Sequence, residues 1–302
     1  MKSKYSIFYL LIAVFITIIF IAGNKKIDIS FIKSAIDPLP QVIKSSPIKS
    51  DYYFAGEKIP ISNFDIKERL DRELLINSYY HSATIQHIKL ANRYFSVIEP
   101  ILKKYNIPDD FKYLAIAESG LRNVVSTAGA TGFWQLMKPV GKELGLEIYE
   151  EVDQRYDIEK STIAACKYLL KLKKIFGTWI NTAAAYNLGM TKFSQAMNRE
   201  KERDFFDLNL NEETMRYIFR ITAIKEIIEH PDNYGFYINT ENKYQPLDNY
   251  FTVKIDSTIS YLGDFAHKYG ITYRKLKIYN PWLRSYKLTV KKNTYFIKIP
   301  KE

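Results

Sequence analysis

Between residues 61 and 235 the apolar residues recur at helical spacing, and no stretch shows the alternation of a convincing half-buried strand. That single pattern confines most of the chain to a bundle of short helices. The breaks fall where helices stop. Gly120, Gly145, Gly177 and Gly189 each follow a periodic segment, and Pro231 follows the last one. The spacing predicts helices over Pro108–Leu121, Lys138–Leu144, Ile158–Phe176, Trp179–Tyr186 and Glu212–Glu229. Two earlier helices carry Leu70, Leu74 and Leu75, then Ile88, Ala91, Phe95 and Ile98, with Asn63 or Asp65 placed to cap the first.

The two ends read differently. Phe251, Val253 and Ile255 alternate, as do Tyr295, Ile297 and Ile299, and two short helical segments lie between them. Strand, helix, helix, strand describes a small α+β module over 249–302, joined by a linker at 236–248. At the N-terminus an uncharged run from Tyr5 to Ala22 is flanked by Lys2 and Lys4 on one side and Lys25 and Lys26 on the other. Such a run is a signal anchor or, alternatively, a cleaved signal peptide over 1–23, so the rest of the chain is expected on the outer side of a membrane. Residues 24–60 hold Pro38, Pro40, Pro47 and Pro60 without helical period and read as a tether, leaving 61–235 as the helical domain.

Charge adds little. The net charge of +11 is concentrated in the two ends, while the middle of the chain is close to neutral. With a composition rich in Lys, Ile, Asn and Tyr throughout and no nucleic-acid motif, the basic ends do not imply a nucleic-acid partner. One cysteine, Cys166, excludes an internal disulfide framework, and the 4 histidines show no metal-ligand spacing.

Three segments carry candidate chemistry. In Ala115-Ile116-Ala117-Glu118-Ser119-Gly120 a carboxylate sits among small and apolar side chains in the last turn of a helix. Burial and the negative helix end both favour its protonated form, which suits a general acid. Taken alone, this hexapeptide favours the plainer reading of Glu118 as an exposed polar helix end. In Gly129-Ala130-Thr131-Gly132-Phe133-Trp134-Gln135-Leu136-Met137, the glycines let the backbone approach a ligand closely, Trp134 offers a flat face for a sugar ring, and Gln135 can donate and accept. The bland reading is a turn followed by core aromatics. In Ala184-Ala185-Tyr186-Asn187-Leu188-Gly189 a tyrosine and an asparagine close a helix, in itself a common ending.

In this order and spacing the segments resemble the lytic transglycosylases of the goose-type lysozyme superfamily, most of all their membrane-bound D-type branch. Glu118-Ser119, Gly132-Phe133-Trp134-Gln135 and Ala185-Tyr186-Asn187 match three family motifs. Tyr217, in Glu213-Thr214-Met215-Arg216-Tyr217, matches a fourth position, and Asp153-Gln154-Arg155-Tyr156-Asp157 matches a charged stretch of the D-type branch. The resemblance covers about residues 64–230, with Phe133 and Met190 as mild departures. It implies a mainly α protein with a lysozyme-like helical catalytic domain that cleaves the β-1,4 bond between N-acetylmuramic acid and N-acetylglucosamine in peptidoglycan. It further implies one catalytic carboxylate, Glu118, and a 1,6-anhydro product. Ser119 and Tyr186 would orient Glu118, Gln135 and Asn187 would hold the sugar, and Gly132, Trp134, Met137 and Tyr217 would line the cleft. No cofactor or metal is implied. The C-terminal module resembles LysM, a small peptidoglycan-binding fold, through Phe251-Thr252-Val253, Ile259, Leu262, Leu276, Asn280-Pro281 and Ile297-Lys298-Ile299-Pro300. Its usual Gly-Asp-Thr turn is replaced by Ile255-Asp256-Ser257-Thr258. The alternatives are a hydrolase of the same bond, with Asp153 or Asp157 activating water, and an inactive scaffold that only binds glycan.

Overall fold

The computed structural model describes residues 44–291 and 293–301. The expected signal segment at 1–23 lies outside them; among the described residues no helix is long and apolar enough to cross a membrane. The protein is mainly α, with two small two-stranded sheets among the described residues.

The helical part contains α1 (Phe64–Tyr79), α2 (His81–Lys104), α3 (Phe111–Ser119), α4 (Lys138–Glu143), α5 (Ile158–Phe176), α6 (Trp179–Leu188), α7 (Met190–Glu200) and α8 (Glu212–Glu229). The capping chemistry explains their starts. Asn63 accepts from Asp65 N ahead of α1, Asp157 from Lys160 N at α5, Thr178 from Asn181 N at α6 and Asn211 from Thr214 N at α8. Helix α8 is the hub: it packs against α1, α3 and α6, while α5 packs on α2 and α6. Its buried residues include Tyr217, Ile218, Phe219, Ile221, Ala223 and Ile224, too many for a single stripe, as expected of a helix surrounded by others.

Two expectations are corrected and one helix is added. Helix α3 begins at Phe111, not Pro108: residues 108–110 form a tighter turn leading into it, with Phe111 N donating to Pro108 O at 3.1 Å and Lys112 N to Asp109 O at 3.0 Å, while the Asp110 carboxylate accepts from Ala55 N at 2.7 Å and pairs with Lys225 at 2.8 Å. Gly189 ends α6 as expected and also caps the start of α7, a helix for which no boundary was expected.

The tether reading of 24–60 fails from Ser46 onward. Strands β1 (Tyr52–Phe54) and β2 (Glu57–Ile59) form an antiparallel hairpin around Ala55 and Gly56, whose φ values of 53° and 78° are those of a tight hairpin turn. Tyr52, Phe54 and Ile59 are buried in the helical core, and the Phe54 ring lies 5.1 Å from that of Phe111. Glu57 accepts from Trp179 N and Ile180 N at 2.7 and 2.9 Å, satisfying the start of α6.

The C-terminal module is strand, helix, helix, strand: β3 (Tyr250–Ile255), α9 (Leu262–Lys268), α10 (Tyr273–Tyr279) and β4 (Tyr295–Pro300). The strands are antiparallel, with Tyr250 opposite Pro300 and Ile255 opposite Tyr295. Its core gathers Ile255, Leu262, Ala266, Leu276, Trp282, Leu283, Leu288 and Ile297, and also admits Val152 from the helical part. The 236–248 segment is no free linker either. Phe236 is buried with Ile88 and Ile227, and Tyr244 N donates to Lys89 O on α2.

Candidate active site

The site is built where α3 ends. Gly120 takes φ 60° and ψ 34°, a left-handed conformation that stops the helix and turns the chain away just after Glu118 and Ser119. Across from it runs α8. The Tyr217 hydroxyl donates to Glu118 Oε1, and Tyr217 itself is only 1% exposed. Glu118 retains some solvent-accessible surface, yet protein surrounds it closely enough for burial to push its carboxyl up to about 7. The Tyr217 hydrogen bond opposes that shift, the negative charge of Glu213 adds to it, and the positive charge of Arg220 opposes it. A carboxyl balanced near neutrality can give up a proton and take one back.

Glu213 and Arg220 were missed in the sequence, although a signal for them exists. With Tyr217 they occupy i, i+4 and i+7 on α8, so one helix face presents all three toward Glu118. Behind this face, the buried Glu73 of α1 pairs with Arg216 at 2.5 Å.

The remaining motif residues assemble the surroundings. Ser119 Oγ lies 3.0 Å from the Ala115 carbonyl and 2.9 Å from that of Phe133, so its hydroxyl fastens the helix end to the 129–137 loop. The Tyr186 hydroxyl donates to Trp134 O at 2.6 Å, and burial together with the nearby Glu118 charge holds it well above the usual tyrosine range. Both residues therefore bind the loop directly, and the side chain seen to touch Glu118 is Tyr217. Asn187 accepts from the Thr214 hydroxyl at 2.7 Å and reaches Glu213 at 3.4 Å, joining α6 to α8. Gln135 takes a φ of 46° and donates to Gly132 O at 2.8 Å and Val124 O at 3.1 Å. Met137 is exposed at the start of α4.

Two expectations for this loop are corrected. Trp134 offers no face to a ligand: it is fully buried, with its indole N–H donating to Thr162 Oγ1 at 2.8 Å. The core reading of that aromatic is the right one, because a buried indole N–H with a partner is a stable arrangement. Gly132, at φ 83°, admits protein and not ligand; a Cβ there would lie 2.1 Å from Arg155 O.

The carboxylates considered as water activators are engaged in the fold. Asp153 is paired with Arg155 at 2.7 Å, and Asp157 caps α5 by accepting from Lys160 N at 3.0 Å. Asp157 also lines a cavity of about 170 Å³ with Asn123, Phe133 and Trp282, but Glu118, Tyr186, Asn187 and Tyr217 are not among its walls. The candidate carboxyl at the end of α3 therefore lies outside that cavity.

Comparison with known proteins places both parts of the chain among known domain families. Residues 96–209 match the Transglycosylase SLT domain, and residues 251–302 match the Soluble lytic transglycosylase C-terminal LysM-like domain. The chain is 30% identical over 258 residues to membrane-bound lytic murein transglycosylase D of Escherichia coli K12, an alignment covering 82% of this chain and 55% of that protein. The same figures hold for the protein of that name from Escherichia coli O6:H1. A putative tributyltin chloride resistance protein of an Alteromonas species is 28% identical over 148 residues, covering 47% of this chain and 72% of that one. The chain thus spans about half the length of the lytic murein transglycosylases it matches. Tyr217, the direct partner of Glu118, lies beyond the matched SLT segment.

Proposed function

We propose that this chain, carrying an SLT domain followed by a LysM-like domain, is a peptidoglycan lytic transglycosylase of the cell envelope. It acts on the β-1,4 bond between N-acetylmuramic acid and N-acetylglucosamine, with Glu118 as acid and then base. The observation that carries this reading is the state of Glu118: enclosed at a helix end, hydrogen-bonded by Tyr217 and balanced to about 7.

In the first step Glu118 gives its proton to the glycosidic oxygen. The bond from that oxygen to muramoyl C1 breaks, and N-acetylglucosamine leaves with a free 4-hydroxyl. The Glu118 carboxylate then takes the proton of the muramoyl C6 hydroxyl, whose oxygen bonds to C1 of the same ring. Glu118 is protonated again, and the strand ends in a 1,6-anhydro sugar without consumption of water. Attack within one ring avoids the entropic cost of recruiting a second molecule. Tyr217 stabilises the carboxylate between the two steps through a charge-assisted hydrogen bond. Ser119 and Tyr186 hold the 129–137 loop at the site, and Gln135 and Asn187 present their amides to the sugar. The long 3.4 Å contact of Asn187 with Glu213 is readily exchanged for a sugar oxygen. No cofactor takes part. The N-terminal segment attaches the enzyme to, or directs it across, a membrane.

Digestion of purified sacculi followed by mass spectrometry of the fragments tests the reading. Anhydro-ended fragments are expected; reducing muramic acid ends indicate a hydrolase, and no fragments at all indicate a glycan-binding scaffold.

A further inference from the structure

The short segment Glu151–Arg155 touches both the 129–137 loop and the C-terminal module. Arg155 is buried, and every guanidinium nitrogen donates a hydrogen bond. Nε and Nη2 donate to Asp153 Oδ1 and Oδ2 at 3.0 and 2.7 Å, while Nη1 donates to Gly129 O and Leu136 O, both at 3.1 Å. Those two carbonyls bracket Gly132-Phe133-Trp134-Gln135, and the carbonyl of Arg155 itself sits against Gly132. One side chain thus pins both ends of the loop that Ser119 and Tyr186 fasten beside Glu118.

On its other side the segment belongs to the C-terminal module. Val152 is fully buried in the core of that module. Asp153 N donates to Trp282 O at 2.9 Å, and Arg284 N donates to Glu151 O at 2.8 Å. The Glu151 carboxylate accepts from Thr289 N at 2.6 Å and Thr289 Oγ1 at 3.0 Å, and pairs with Lys287 at 3.2 Å. The residue that orients Arg155, Asp153, is therefore held from the module's side.

We propose that Arg155 is a positioning residue for the 129–137 loop and that the C-terminal module sets its place through Glu151, Val152 and Asp153. On the functional reading above, the module is a working part of the catalytic site. A loop misplaced by about an ångström loses on the order of a hundredfold in rate, so modest slack in the segment is enough to matter.

The test uses the full chain with Glu151→Ala, which removes every side-chain contact of Glu151, and Glu151→Gln, which keeps an acceptor for Thr289 N. Thr289→Val serves as a milder change on the module side should Glu151→Ala not fold. Amide hydrogen exchange in peptides spanning 129–137 is expected to quicken about threefold or more in Glu151→Ala, although Glu151 does not touch them. Turnover of soluble glycan strands is expected to lose about tenfold in kcat with KM within about twofold, and Glu151→Gln to restore most of both readouts. Faster exchange confined to 147–153 and 282–290, with kcat unchanged, overturns the proposal. A wild-type protein that releases no fragments counts against the functional reading instead, and the exchange measurement still decides the coupling.

Discussion

Tyr217 of α8 donates its hydroxyl hydrogen bond to Glu118 at the end of α3, across 99 positions of sequence. The contact joins α8, the last long helix of the helical part, to the short helix that carries the carboxylate. It also opposes the effect of burial on Glu118, so the proton affinity of that residue is set by a balance that mutation can tip.

Replacing Tyr217 by Phe removes the hydrogen bond and leaves the burial. A hydrogen bond to a charged group contributes about 1.5 kcal/mol or more, equivalent to roughly one pH unit. The alkaline limb of the pH–rate profile in Tyr217→Phe is expected about one unit above that of the wild type, with a lower kcat. An unmoved limb contradicts the role given to Tyr217.

The wild-type profile follows from the same balance. The first step of the proposed mechanism needs the protonated carboxyl, and burial pushes Glu118 up to about 7. Turnover measured on soluble glycan strands is expected to fall by half near pH 7 as pH rises. A midpoint near 4 to 5, the ordinary glutamate range, shows that burial does not govern this residue.

Stability carries an independent signature. The folded-state pKa of Glu118, about 7, is raised from 4.5, so the folded protein binds the proton more tightly than the unfolded chain. The stability this contributes is fully present below pH 4.5 and is lost as pH rises through 7, a difference on the order of 3 kcal/mol. Glu118→Gln cannot ionise. Its Tm relative to the wild type is therefore expected to rise between pH 5 and pH 8, and a constant difference across that range refutes the assignment.

Gly132 supplies a steric prediction. A Cβ at this position would meet Arg155 O at 2.1 Å and would also strain a backbone at φ 83°. Gly145 has a φ of 93° but open space around it. Gly132→Ala is expected to cost about 2 kcal/mol or more, lowering Tm by about 5 °C, and Gly145→Ala to cost about 1 kcal/mol. Equal losses in thermal melts remove the close approach as the reason for glycine.

How far the fold was legible depends on the length of the signal. α5 and α8 begin and end where periodicity places them, because their apolar faces are long and Gly177 and Pro231 follow their ends; the caps Asp157 and Asn211 emerge only in the structure. β1 and β2 went unseen because three residues each are too few to show alternation, and nearby prolines suggested a tether. The pairing of the candidate residues Glu118 and Tyr217 was legible in the motif order, but the side-chain orientations were not. Whether Trp134 faced a ligand or the core turned on Thr162, 28 residues away, and local sequence carries no record of that contact. Arg155 was legible only as part of a charged stretch, because its partners Gly129 and Leu136 contribute backbone carbonyls that any residue would provide.

The central claim is that Glu118 serves as both acid and base within one sugar ring, with no water consumed. Digesting peptidoglycan in water enriched in oxygen-18, with the wild type and Glu118→Gln side by side, tests it directly. The wild type should release anhydro-ended fragments free of the label, and Glu118→Gln at least about a hundredfold less product. Reducing ends that carry oxygen-18, or undiminished release by Glu118→Gln, would contradict it.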